Sequence, residues 1–148
     1  MPEIKKNALV MYSANEMFNL VNDVVNYRDF LPHCSNSKIL SQSNDKMTAS
    51  VEIAKGGLKK WFTTENSLIT DKAINMVLVD GPFKKLEGGW QFTALDEKAC
   101  KIELKLNFEF SSKLVEMAFG RVFNEVANNM LSAFTERAKQ VYGSRSFS

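Results

Sequence analysis

The alternation of apolar and polar residues in the last third of the chain predicts a long strand followed directly by a long helix. From 100 to 110 every even position is apolar and every odd position is polar or charged. This period of two is typical of a half-buried antiparallel strand. After Ser111 and Ser112 the apolar residues recur every three or four positions, as on one helix face: Val115, Phe119, Val122, Val126, Met130 and Ala133. The helix must then lie across the sheet.

The preceding residues predict the rest of one sheet. Ile4 to Tyr12 reads as a strand, and Ser13 with Glu16 forms the capping-box pattern at the start of a short helix. A second helical turn or two over 26–31 ends at Pro32. Short strands separated by turn residues then predict an antiparallel meander. The pattern predicts an α+β fold, with a curved antiparallel sheet of six or seven strands wrapped around the long C-terminal helix and two short helices after the first strand.

Length and composition predict a single globular domain. The chain has 148 residues, of which 45% are hydrophobic, enough to form one core without disulfides or metals. We expect the domain to cover 1–143 and a flexible tail to cover 144–148. No stretch approaches the roughly 20 apolar residues of a membrane span, and charged residues stand where a secretory signal would be apolar. These features predict a cytoplasmic protein, with loose peripheral contact to a membrane left open.

The residues that carry most enzyme chemistry are scarce. His33 is the only histidine, so neither a histidine-rich metal site nor a histidine relay is expected. Cys34 and Cys100 lie in apolar patterns and form no CxxC motif, which favours buried, reduced thiols over nucleophiles. No nucleophile elbow, phosphate loop or zinc-protease motif occurs. We therefore predict no catalytic residue and no metal site.

The large apolar side chains that face the long helix either fill a core or line a cavity for a hydrophobic ligand. The candidates from the strands are Met76, Leu78, Trp90 and Phe92, and those from the helix are Phe119, Phe123, Val126 and Met130. Gly120 favours the cavity slightly, because a glycine inside a helix costs about 1 kcal/mol relative to alanine and suits a close approach to the backbone. We expect the helix to flex between 119 and 123.

The strand from Leu58 to Ile69 carries polar residues in both alternating phases. If the even phase points inward, Thr64 and Asn66 lie inside the sheet; if Trp61, Thr63 and Ile69 point inward, Glu65 does too. Both arrangements place polar atoms in an apolar chamber. Such atoms suit recognition of a ligand head group, although hydrogen-bonded core residues would explain them equally well. Thr64 and Asn66 are the candidates for head-group contact.

Lysine pairs mark several predicted strand ends. The formal net charge is +2, too small by itself to indicate nucleic-acid binding. Pairs of this kind usually protect sheet edges, but they can also contact RNA phosphates. The candidates for contact with ribosomal RNA are Lys59, Lys60, Lys84 and Lys85.

Four segments resemble a known family over nearly the whole chain. They are 79–90 (VDGPFKKLEGGW), 30–34 (FLPHC), 62–66 (FTTEN) and 118–123 (AFGRVF). They resemble the bacterial ribosome-association toxin family, which is similar to the mitochondrial coenzyme-Q-binding proteins and was often labelled oligoketide cyclase/dehydrase. The chain departs from the family pattern at Arg28, where proline is common, and at Glu65, where a basic residue is usual.

The resemblance implies a START-like helix-grip fold, as in the birch-pollen allergen superfamily. It implies binding of ubiquinone or another polyprenyl lipid between sheet and helix, linked to respiration and with no required cofactor. For the bacterial branch it also implies binding of the large ribosomal subunit, which blocks subunit association and translation initiation; DNA is not an expected partner. The cyclase label implies a cyclase or dehydratase, for which the residues supply no acid–base constellation.

Overall fold

One seven-stranded sheet and a long helix dominate the computed structural model, which describes residues 3–145. The elements, in chain order, are β1 (Glu3–Val10), α1 (Ala14–Asn22), a 3₁₀ helix (Val24–Asp29), β2 (Cys34–Gln42), β3 (Lys46–Lys55), β4 (Leu58–Ile69), β5 (Ala73–Asp80), β6 (Phe83–Asp96), β7 (Ala99–Phe110) and α2 (Lys113–Tyr142). The predicted α+β helix-grip architecture is confirmed.

The strands from β2 to β7 form the predicted antiparallel meander, and β1 joins its far edge. The order across the sheet is β1-β7-β6-β5-β4-β3-β2. In the β1–β7 pair Val10 lies opposite Cys100, and Glu3 lies opposite Asn107. The alternation of the sequence shows that β1 is a strand, but not which strand it pairs with.

The apolar face of β7 and one stripe of α2 bury each other. Cys100, Ile102 and Phe108 have no solvent exposure, and neither do Phe119 and Phe134 on the helix. Two serines separate the two elements. The second of them, Ser112, is the N-cap of α2 and accepts a hydrogen bond from the Val115 N–H at 3.2 Å, which pairs one of the free amides at the helix start.

The two short helices after β1 are present, with one difference from the prediction. The capping box of α1 is confirmed: the Glu16 N–H donates to Ser13 Oγ at 3.0 Å, and the Ser13 N–H donates to Glu16 Oε1 at 2.9 Å. The second short helix is a 3₁₀ helix at Val24–Asp29, earlier than the 26–31 expected. The helix begins at Val24, two residues earlier than predicted, and the Val24 side chain is buried.

The C-terminal end of α2 is fastened to β1 and α1. The Tyr12 hydroxyl donates to the Gly143 carbonyl at 2.7 Å, and the Tyr142 hydroxyl donates to the Glu16 carbonyl at 2.9 Å. Arg145, in the segment expected to be a flexible tail, forms a two-point ion pair with Glu16 at 2.7 and 2.9 Å. This pair holds the pKa of Glu16 below its usual range. The rest of the predicted tail, 146–148, lies outside the described residues.

Candidate functional site

A small apolar cavity lies between the concave face of the sheet and the middle of α2. Its volume is about 70 Å³. The residues that line it are Val24, Tyr27, Leu31, Ala49, Val51, Ile53, Phe62, Thr64, Asn66, Met76, Leu86, Trp90, Leu106, Phe123, Val126 and Met130. The cavity therefore draws on five strands, the 3₁₀ helix and α2.

The structure brings most of the predicted binding residues to this cavity. Of the ten candidates, seven line it: Thr64, Asn66, Met76, Trp90, Phe123, Val126 and Met130. Leu78, Phe92 and Phe119 lie outside the lining. A ligand role for the seven stays a prediction.

Two of the three candidates outside the lining pack against other aromatic rings. Phe119 belongs to an aromatic cluster in which its ring centroid lies 6.2 Å from that of Phe83 and 6.2 Å from that of Phe110. Phe92 packs edge-to-face on Phe18 of α1 at 5.9 Å. The cavity is thus bounded by solid aromatic packing on one side and by α1 on the other, and only side chains near the middle of α2 reach it.

Several lining residues were not singled out from the sequence. Leu86 and Leu106 continue the inward phases of β6 and β7, so the alternation contained the signal for them. Phe62 stands in the same phase as Thr64 and packs edge-to-face on Phe123 at 6.0 Å. Tyr27 could not be placed from sequence, because its position depends on the 3₁₀ helix folding back over the sheet.

In β4 the even-numbered residues point inward, which decides between the two arrangements that the sequence left open. Thr64 and Asn66 are buried, whereas Glu65 is exposed on the outer face and lies 3.7 Å from Lys46. Inside the cavity the Thr64 hydroxyl donates to Asn66 Oδ1 at 2.8 Å. That bond engages the carbonyl of the Asn66 amide, so the hydrogen-bonding capacity left on this lining residue is chiefly that of its NH₂ group, a donor.

Tyr27 is the one titratable side chain in the lining, and its hydroxyl is already used in a hydrogen bond within the protein. Its hydroxyl donates to the Val21 carbonyl, and burial raises the pKa of its phenol. The lining thus combines a neutral phenol, one threonine and one asparagine with apolar side chains. It can hold an apolar molecule and donate a hydrogen bond to it, but it has no pair of groups suited to acid–base transfer.

A polar clasp of three side chains, His33, Lys55 and Glu125, lies next to the residues that line the cavity. His33 Nε2 lies 3.2 Å from Glu125 Oε1, and Lys55 Nζ lies 3.1 Å from Glu125 Oε2. The clasp ties α2 to the end of β3 and to the loop before β2, beside the lining residues Ile53 and Val126. Hydrogen bonds from His33 and from Lys55 hold the pKa of Glu125 below its usual range.

The two cysteines are free and buried, as predicted. Loss of solvent around each thiol raises the pKa of Cys34 and of Cys100 to about 11. Both stay protonated at neutral pH, and a thiol is a poor nucleophile. Their placement fits the predicted packing role.

The four candidate RNA-contact lysines lie at one end of the sheet, where β4 and β6 begin. Lys59 and Lys84 are exposed, and Lys60 is half-buried. Lys85 is exposed but paired with Glu87 at 3.1 Å. They share an end of the molecule without forming one patch, because Lys59 and Lys60 point to opposite faces of β4.

Two kinds of feature are absent between residues 3 and 145. Nowhere in this range do three or more histidine, cysteine, aspartate or glutamate side chains come together as a metal site would require. No helix in the same range combines the length and apolarity needed to cross a bilayer.

Comparison with protein families and relatives matches the whole domain. The family model described as polyketide cyclase/dehydrase and lipid transport matches residues 10–135. The ribosome association toxin RatA of Vibrio cholerae is 59% identical over 143 residues, covering 97% of this chain and 99% of that protein. The mitochondrial coenzyme Q-binding protein COQ10 homolog B of Xenopus laevis is 30% identical over 145 residues, covering 95% of this chain and 59% of that protein.

Solved structures share the fold at low sequence identity. The Zhui aromatase/cyclase from Streptomyces sp. R1128 superimposes with a TM-score of 0.80 at 16% identity, covering 97% of this chain and 99% of that one. A START superfamily protein from Mycobacterium smegmatis gives 0.77 at 19% identity, covering 94% and 98%. These two establish the START-like fold, and the relatives establish the lineage. The chain belongs to the ribosome association toxin RatA family, within the polyketide cyclase/dehydrase and lipid transport group.

Proposed function

We propose that the protein binds a hydrophobic ligand in the cavity between sheet and α2, without catalysing a reaction. The observation that carries this proposal is the buried Thr64–Asn66 pair, which stands among the mainly apolar residues that line the chamber. An apolar molecule with a hydrogen-bond acceptor at one end complements that arrangement. A polyprenyl quinone of the ubiquinone class has this chemistry, with ring carbonyls as acceptors and a hydrocarbon tail.

Apolar contact supplies most of the affinity in this proposal. Burial of hydrocarbon contributes about 25 cal/mol per Å², and the amide hydrogen bond adds orientation. The relative from Xenopus is named as a coenzyme Q-binding protein, which supports the same ligand class.

The cavity must enlarge before it holds such a ligand. Its 70 Å³ is well below the roughly 300–1,000 Å³ of typical ligand pockets. Met76 and Met130 in the lining are unbranched and adaptable, so they can move aside at low cost. Release of Glu125 from His33 and Lys55 would let the middle of α2 move away from β3.

Native mass spectrometry with decylubiquinone tests this proposal. We expect one molecule bound per chain, and we expect Asn66→Leu to weaken binding roughly three- to tenfold, the value of one hydrogen bond. Gln91→Leu on the outer face is the matched control and should bind as the wild type does.

Two results would contradict ligand binding. The first is the absence of any lipid or quinone, both in protein purified from its own host and after incubation with decylubiquinone. The second is equal loss of a saturated hydrocarbon probe and of decylubiquinone in Asn66→Leu, since the amide would then not recognise a carbonyl.

Association with the large ribosomal subunit is a second candidate function, and it would operate in the cytoplasm. The specific observation in its favour is the match of relatives named ribosome association toxin along almost the entire chain. In this proposal the protein binds the large subunit and blocks subunit association. Co-sedimentation with purified large subunits at several salt concentrations tests it, because phosphate contacts weaken steeply as salt rises. Failure to sediment with subunits even at low salt would reject it.

A cyclase or dehydratase activity is a third candidate, and the lining gives it little support. A structural neighbour is named as an aromatase/cyclase, but at 16% identity this likeness extends only to the fold. Thr64, Asn66 and Tyr27 are the polar side chains that line the cavity, and a dehydration needs a group that moves protons near neutral pH. We therefore propose binding without turnover.

A further inference from the structure

A second concavity lies on the opposite, convex face of the sheet, above two consecutive glycines of β6. Its volume is about 510 Å³. Lys5, Lys6, Asn7, Asn75, Gly88, Gly89, Gln91, Glu103, Leu104 and Lys105 line it. We call it the outer groove; neither the ligand cavity nor the clasp shares a residue with it.

The outer groove exists because one row of the sheet lacks a side chain. Lys5, Lys105, Gly89 and Asn75 lie directly opposite one another on β1, β7, β6 and β5. Glycine at position 89 therefore leaves a gap between a lysine and an asparagine. The gap cannot be filled by substitution, because a Cβ on Gly89 would lie 2.2 Å from the Ile74 carbonyl oxygen.

The rim of the outer groove carries three lysines, Lys5, Lys6 and Lys105, and one carboxylate, Glu103, so its formal charge is +2. Lys5 and Lys105 face each other across the β1–β7 pair, and like charges in directly opposite positions destabilise a sheet. Lys5 has one partner, Glu3 at 3.5 Å, while no ion pair of Lys105 is recorded among residues 3–145. A bound anion would relieve this repulsion.

The uncharged rim residues are hydrogen-bonding amides that the fold does not use. Asn7, Asn75 and Gln91 lie on three different strands, all exposed, and asparagine is disfavoured in strands. In the described part of the chain their side chains make no recorded hydrogen bond. Lysine, asparagine and glutamine are the side chains that contact phosphate and sugar in nucleic-acid complexes.

We infer that the outer groove binds the phosphodiester backbone of RNA and is the surface through which the protein meets the ribosome. This inference rests on the proposed ribosome association and names its site. The groove has no aromatic side chain on which a base could stack, so it contacts backbone and reads no sequence. A lipid bilayer fits less well, because the groove is concave and carries no exposed apolar side chain to insert.

Two double charge reversals of equal net charge separate this surface from the lysine pairs at the sheet end. One is Lys5→Glu/Lys105→Glu in the outer groove, and the other is Lys59→Glu/Lys84→Glu. Both are measured with purified large subunits by sedimentation and with a transcribed domain of large-subunit RNA by fluorescence anisotropy. Thermal melting monitors the fold of each variant.

We expect the groove variant to bind both targets at least tenfold more weakly and to lower the slope of log affinity against log salt by about 2, one unit per lysine. The sheet-end variant should stay within twofold of wild type. Asn75→Ala/Gln91→Ala keeps the charge and should weaken binding with the salt slope unchanged.

Equal binding by the groove variant and the wild type would overturn the inference, and so would a larger loss in the sheet-end variant. If the wild type ignores subunits yet binds RNA through the groove, RNA binding by the groove stands, whereas ribosome association and the groove's role in it both fail. If the groove variant loses binding only to phosphatidylglycerol vesicles, the ligand is a lipid surface and the inference is wrong.

Discussion

The inner and outer faces of β5 and β6 differ sharply in the polarity of the residues that line them. On β5 and β6 the inward residues Met76 and Trp90 line a small apolar cavity, while the adjacent outward residues Asn75 and Gln91 rim a wider polar groove. The inner face is nearly full, at 70 Å³ of free space, and the outer concavity measures 510 Å³. The period of two in a strand lets one backbone serve both faces. Stability should therefore be concentrated on the inner face and charge-dependent binding on the outer face.

The largest effect should come from the inner face. Trp90 is 2% exposed and packs edge-to-face on Phe134 at 5.2 Å. Trp90→Ala should lower the free energy of unfolding by about 3–5 kcal/mol, whereas the neighbouring Gln91→Ala should change it by less than about 0.5 kcal/mol. Urea denaturation of both variants measures the difference. Similar losses at 90 and 91 would show that the two faces do not divide stability in this way.

The glycines where the two faces meet should give the next largest effect. Gly88 has φ +144°, and a Cβ there would lie 2.0 Å from the Lys105 carbonyl oxygen. Backbone strain alone should then make Gly88→Ala cost about 1–3 kcal/mol. Gly120→Ala is the control: its Cβ would meet Phe110 and Glu116 side-chain atoms at 3.5 Å, and it should gain up to about 1 kcal/mol. A tolerated Gly88→Ala in the same denaturation assay would mean that the positive φ at position 88 is not required.

The polar pair in the cavity should give a loss no larger than that of Gly88→Ala. Thr64→Val removes the donor that satisfies Asn66 Oδ1 in a buried site, which should cost about 1–3 kcal/mol. Thr93→Val, at an exposed position of β6, should cost less than about 0.5 kcal/mol. Thermal and urea unfolding of both variants test this. A neutral Thr64→Val would indicate that water readily replaces the hydroxyl.

The smallest effect concerns access to the inner face rather than stability. Glu125→Gln weakens the contact with His33 and Lys55, and stopped-flow uptake of a fluorescent apolar probe should become about two- to fivefold faster. Glu136→Gln, which removes the charge of an exposed helix carboxylate paired with Lys139 at 3.1 Å, should leave uptake unchanged.

The same uptake assay has a predicted pH dependence. The folded pKa of Glu125 is depressed, so the clasp holds above the ordinary carboxylate value of 4.5 and is lost as pH falls through the lower folded value. Uptake should stay constant from pH 7 to about 5 and rise only in stronger acid. A rise that begins well above pH 5 would show that protonation of Glu125 does not control uptake.

The alternating face of β7 and the capping box at Ser13 were predictable because each depends on neighbours in sequence. The pairing of β1 with β7 was not, since an edge strand of this pattern could join either side of the meander. The inward phase of β4 stayed open because both phases mix polar and apolar residues, and the buried position of Thr64 decides it.

Predicting the site from sequence worked only to the level of a shared face. Phe92 and Trp90 have the same phase on β6, yet only Trp90 lines the cavity, because α1 covers Phe92. The cavity volume is the small difference between the volume that the backbone encloses and the volume that the side chains fill. The pattern of apolar and polar residues gives neither volume. The outer groove was not predicted from the sequence. Gly88 and Gly89 break the alternation of side chains in β6, but the sequence does not show that a groove lies above them.

The pairing of β1 with β7 also sets the order in which the molecule can be completed during translation. Glu3 finds its partner Asn107 and Val10 finds Cys100, so the first strand to be synthesised waits for roughly a hundred further residues before it pairs. Until then its edge is unprotected apart from lysines such as Lys5 and Lys6. The β1 side of the outer groove is therefore absent from a nascent chain until β7 has been synthesised and has left the exit tunnel.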